Sequence, residues 1–198
     1  TTGVATTTAA AGTAPSGATV ATRITAAGVS FGGLWRGSSV VASNPTFAAA
    51  TTYTLSLFAK ADTASRIGVR LGDDMKTGGD AYCWWDLSTG AATQITPTAG
   101  TVVAIGSTNH GNGWWRVTVT YTNGATPSGL FDIAIVNASG GTNYTPAGTE
   151  SVLVWGLQIE AASTASSYIP TAGASATRAA DVAYVDVATW LPALSMTN

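Results

Sequence analysis

Cysteine and histidine are almost missing from this sequence: Cys83 and His110 are single occurrences in 198 residues. One cysteine excludes an intrachain disulfide. One histidine beside one cysteine leaves no His/Cys cluster for zinc. Charge is also scarce, at 9% of residues against about 25% in an ordinary globular domain. The eight Lys and Arg residues are scattered, and the formal net charge is -2. Nucleic acid demands clustered cations for its phosphates, so it is excluded as a partner. No apolar run approaches the ~20 residues of a membrane helix, so no membrane insertion is expected. The N-terminus, Thr1-Thr2-Gly3, has neither the basic start nor the apolar core of a signal peptide. The chain lacks an initiator Met and stops after Leu194-Ser195-Met196-Thr197-Asn198. Together these features predict a piece excised from a longer protein.

What is present is small, uncharged and β-prone. Thr, Ala, Ser and Gly fill the positions that charged residues usually take. The length suits one large domain with a sizeable core. The organising stretch is Ser151–Glu160, where Leu153, Trp155, Leu157 and Ile159 recur at period two. Val152, Val154 and Gly156 point the other way, so a central strand covered on both faces is expected, with Trp155 as its core anchor.

Other segments alternate in the same way. Thr1–Ala11 suits an edge strand. Pro15-Ser16-Gly17 reads as a turn, and Val20, Thr22 and Ile24 fall on one face of the strand that follows. In Thr52–Lys60, Tyr53, Leu55, Leu57 and Ala59 face inward. Ile67, Val69 and Leu71 do so in the next strand, with Arg70 opposed. Strands are also expected at 81–87, twice within 92–105, at Trp114–Thr122 and at Leu130–Asn137. Roughly ten short strands with turn signals about every ten residues predict an all-β, two-sheet sandwich or a barrel. The body is read as residues 1–185, with 186–198 as an extension or the start of a following module. Ala174–Val187 is the best helix candidate.

Few residues offer chemistry. Acyl transfer needs a nucleophile with a base in reach, but His110 lies in a glycine-rich loop and Cys83 between bulky aromatics. Both read as structural, and the carboxylates show no spacing that singles out a hydrolytic pair. Asp73, Asp74 and Asp80 share a loop with Gly72, Gly78 and Gly79. Hard oxygen ligands in such a loop suit Ca²⁺, and a solvated polar loop fits them as well. In 81–87, Cys83, Trp85 and Leu87 share a face that Leu87 marks as core. Tyr82, Trp84 and Asp86 share the other, with Arg70 beside them on the neighbouring strand. Flat rings with a few hydrogen-bonding groups suit the C–H face of a sugar. Two readings fit Trp84: a ligand-binding ring on an outer or concave face, or a core residue between layers. Trp35 with Arg36, one of Trp114 and Trp115, and Tyr144 with Asn143 are further candidates. Sequons at Asn137-Ala138-Ser139 and Asn143-Tyr144-Thr145 imply glycosylation only in a eukaryotic secretory setting.

Six segments carry a family resemblance: Thr52–Ala61, Trp85–Gly90, Gly111–Arg116, Val152–Glu160, Ser167-Tyr168-Ile169-Pro170-Thr171 and Thr177–Val182. Together they resemble the jelly-roll modules, similar to carbohydrate-binding modules, that recur in tail, fibre and head-spike proteins of bacteriophages and prophages. The match runs over about 15–185. It implies an antiparallel two-sheet jelly roll on a virion surface that binds host-surface polysaccharide without catalysis. Other virion subunits, a homotrimer among them, are implied as partners. Related modules often hold a structural Ca²⁺ through an Asp in the last strand. The matching strand here reads Val154-Trp155-Gly156-Leu157 and lacks that acid. The expected contacts are Trp84, Tyr82, Arg70 and Trp35. The rival expectations are a purely structural decoration or fibre-spacer domain, and a polysaccharide-degrading enzyme.

Overall fold

A computed structural model describes residues 5–27, 34–36, 47–71, 82–94, 101–125, 131–140 and 144–171. The Asp73–Asp80 loop, the helix candidate at 174–187 and the 186–198 extension lie outside the described residues. Eleven strands and no helix are found among the described residues. They are β1 (Thr6–Gly12), β2 (Ala21–Thr25), β3 (Leu34–Arg36), β4 (Thr52–Ala61), β5 (Arg66–Leu71), β6 (Tyr82–Asp86), β7 (Ala92–Gln94), β8 (Thr101–Asn109), β9 (Trp114–Thr122), β10 (Phe131–Ile135) and β11 (Ser151–Glu160). One sheet has six strands in the order β1-β2-β11-β4-β9-β8; the other has five, in the order β3-β10-β5-β6-β7. Every pairing is antiparallel. No helix among the described residues is long and apolar enough to cross a membrane.

Period-two alternation builds the core between the sheets. Ile24, Leu55, Leu57, Val117, Val119 and Val152 come from the six-stranded sheet, and Ile67, Val69, Trp85, Ile133 and Ile135 from the five-stranded one, all at 1% exposure or less. Burying a side chain of this size contributes about 1.5–3 kcal/mol. Trp85 is fully buried, and its Nε1 donates to the Gly106 carbonyl of the facing sheet at 2.9 Å. That bond satisfies the one polar atom of the largest core ring.

Trp155, expected to anchor this core, does not lie in it. It is half-buried on the outer side of the six-stranded sheet, beside Phe58 and Tyr168. Leu153 shares that outer side, and a bulge in β11 follows Trp155. Trp155 pairs with Phe58 but Gln158 with Ser56, so β11 holds one extra residue. Gly156 sits there at a φ of 63°, a conformation that glycine adopts without a Cβ penalty. Before the bulge Val152 and Val154 face the core; after it Ile159 does, paired with Leu55. The expected single face of Leu153, Trp155, Leu157 and Ile159 is therefore split, and Leu157 is left 36% exposed. Val20 also departs from expectation: it precedes β2 and is 50% exposed, while Ala21 and Ile24 are buried.

The outward side chains of β4 are buried too, at 1% for Thr54, 0% for Ser56 and 5% for Phe58. Residues 161–171 fold back over them. The Ala162 carbonyl accepts from Thr54 Oγ1 at 2.8 Å, and Gln158 Oε1 accepts from the Ile169 amide at 2.8 Å. Tyr168 then closes on Trp155, with ring centres 4.6 Å apart. The polar run after Glu160 is thus a strap over the six-stranded sheet.

Candidate functional site

The outer face of the five-stranded sheet carries the expected ligand position. Alternation in β6 turns Cys83 and Trp85 into the core and Trp84 outward, where it is half-buried. Its direct neighbours across the sheet are Gly68 and then Ala134 on one side and Thr93 on the other. One row along, the register sets Arg36, Asp132, Arg70 and Tyr82 side by side across four strands. Asp132 is 9% exposed. By backbone register, then, small residues stand beside Trp84 and a polar row lies one step along the same face.

The Trp84 ring is fixed from two directions. The Arg66 guanidinium lies 5.4 Å from the ring centre, a cation–π distance. Arg66 is itself tied by Nη1 to the Ala138 carbonyl at 2.6 Å and by Nη2 to Asp86 at 3.3 Å. The Asp86 carboxyl is held below the ordinary carboxylate range, first by the Ser88 hydroxyl, then by the Ser88 amide and Arg66. Gly140 adopts a φ of 80°, and a Cβ there would stand 2.4 Å from Trp84 Nε1. Gly140→Ala is therefore expected to cost about 1–3 kcal/mol and to displace the indole. A denaturant melt, with the Trp84 Nε1 resonance followed by NMR, checks both effects.

Trp84, Tyr82 and Arg70 are thus brought to one sheet face, the last two by backbone register. Trp35 is not. It pairs with Ile133, a core position, while Leu34 and Arg36 take the outer register of β3. By register, Arg36 stands in the row with Asp132. Asp73, Asp74 and Asp80 lie outside the described residues, as does Asn143. Among the described residues no group of three or more His, Cys, Asp or Glu side chains could hold a metal. Trp114 is buried, Trp115 is half-buried against the core, and the Tyr144 hydroxyl reaches the Ile135 carbonyl at 3.4 Å.

Cys83 is 2% exposed, and burial pushes its thiol up to about 12. It remains a neutral thiol at neutral pH. Burial likewise raises the Tyr121 phenol. Both groups bind protons more tightly folded than unfolded. Their contribution to stability is complete below the unfolded thiol's range and is lost as pH climbs from about 9 toward 12. Thermal melts between pH 8 and 11 should show a falling Tm, less steeply in Cys83→Ala. Thiol reagents at pH 8 should modify Cys83 only after denaturant is added.

Sequence reasoning missed a second feature. The β11 bulge opens a cavity of about 330 Å³ lined by Val20, Thr22, Leu57, Val154, Trp155 and Leu157, among others. A glycine between Trp155 and Leu157 in an otherwise apolar strand is the signal that marks it.

No family model matches the chain, and no curated protein matches it.

Proposed function

We propose that the chain is a non-catalytic glycan-binding module of a phage-type virion surface protein, built as a jelly roll. Host-surface polysaccharide would lie on the outer face of the five-stranded sheet, stacked on Trp84. The pairing pattern supports the jelly-roll reading. β2 pairs with β11, β3 with β10, β4 with β9 and β5 with β6. These four nested pairs alternate between the two sheets. A long hairpin rolled up on itself gives that pattern, which is the double-sheet jelly-roll arrangement. β1, β7 and β8 are then additions at the sheet edges.

The observation that carries the binding reading is the half-buried indole of Trp84, held by Arg66 and Gly140 on an outer sheet face. Beside it runs the register row Arg36, Asp132, Arg70 and Tyr82. An aromatic plane flanked by donors and acceptors stacks on a pyranose and bonds its hydroxyls. Such contacts are weak singly and gain from several copies on one particle. The test is retention of the chain on a panel of bacterial surface polysaccharides. Retention with no new reducing ends is expected. Failure on every polysaccharide would leave the spacer reading. Release of reducing ends would revive the polysaccharide-degrading enzyme.

A further inference from the structure

The four sheet edges are not alike. A sheet edge presents unpaired N–H and C=O groups, and proteins blunt it with short strands, irregularities, charge or proline. In the five-stranded sheet the edge strands β3 and β7 have three residues each. In the six-stranded sheet β1 is interrupted: its pairing with β2 shifts between Thr8 and Gly12, and Ala10 adopts a φ of 51°. β8 has none of these protections over most of its length. It holds nine residues, Thr-Val-Val-Ala-Ile-Gly-Ser-Thr-Asn, without charge or proline. Its one irregularity lies between Val102 and Ala104. From Ala104 to Asn109 it pairs regularly with β9, and no described strand pairs with its outer edge. Those six residues span about 20 Å, the length of an ordinary strand.

We propose that the outer edge of β8 pairs antiparallel with the β8 edge of a second copy, joining two six-stranded sheets across a two-fold axis. A two-fold interface must be self-complementary, and an uncharged edge meets its own copy without repulsion. The only exposed large hydrophobic on this strand, Val103 at 57%, lies beside the proposed seam. A two-fold through Gly106 sets Ala104 of one copy opposite the partner's Thr108. Ala104 and Thr108 are both exposed, so their side chains are free to meet there. The surface is separate from the Trp84 face, so this proposal stands or falls without the glycan reading.

Sedimentation of the whole chain over a concentration series should give twice the chain mass. The double variant Ala104→Lys, Thr108→Lys puts lysine against lysine across the seam, which destabilises strand pairing. It should sediment as a single chain with an unchanged far-ultraviolet spectrum. Thr7→Lys with Ala9→Lys on β1 should leave the dimer intact. Amide exchange of the wild type supplies a readout free of mutation: alternate amides of 104–109 should exchange more slowly as concentration rises. A wild type of single or triple mass, a dimer that survives the β8 lysines, a dimer lost with the β1 lysines, or concentration-independent exchange would each overturn the proposal.

Discussion

Trp85→Ala is expected to remove about 3–5 kcal/mol of stability, the range for emptying a large aromatic site in a packed core. The ring is fully buried between the sheets, and the Gly106 carbonyl loses its indole donor at 2.9 Å. Single domains have about 5–15 kcal/mol in total, so the variant would sit near the edge of folding. Urea melts should show a lower midpoint with an unchanged slope. Trp85→Phe keeps a ring but not the donor, and should lose distinctly less. A loss below about 1 kcal/mol for alanine would mean that the two sheets do not depend on this ring, against the burial argument.

Trp84→Ala should separate binding from folding. A central aromatic contact carries about 2 kcal/mol or more of a binding free energy, roughly thirtyfold in affinity. On a multivalent surface that loss multiplies, so retention on polysaccharide should vanish. The side chain is half-buried and packs only partly on the core, so the fold should survive with a modest drop in melting temperature. Trp84→Phe should restore part of the binding. Arg66→Lys keeps the charge but loses the planar fork that spans Ala138 and Asp86. It should weaken binding by loosening the indole.

Much of the fold was legible because its strands obey simple alternation. Trp114–Thr122 and Ser151–Glu160 fall where periodicity put them, and Leu55, Leu57, Ala59, Ile67, Val69, Cys83, Trp85 and Leu87 take the core side that alternation assigns. The rule failed where a backbone irregularity changed the count. Gly156 inserts one residue into β11 after Trp155, so Leu153 and Trp155 share the outer face while Ile159 faces the core. Thr54 and Ser56 show another limit. Buried hydroxyls read as surface in a sequence, and only a strap 108 residues away from Thr54 explains their burial. For the site, the register sets Gly68 beside Trp84 and Arg70 beside Tyr82, and it pairs Trp35 with Ile133. Which strands lie side by side is a long-range property that local pattern does not carry. The row from Arg36 to Tyr82 was therefore visible only in the assembled sheet.

The most direct test of the binding surface is a residue-resolved titration. Backbone amides and indole Nε1 groups would be followed by NMR as a retained polysaccharide, or an oligosaccharide cut from it, is added. The account predicts that Trp84 Nε1 and the Gly140 amide shift first, together with the amides of Arg70 and Tyr82. Shifts confined to Trp155, Leu157 and Val20 around the β11 cavity, with Trp84 unmoved, would contradict it.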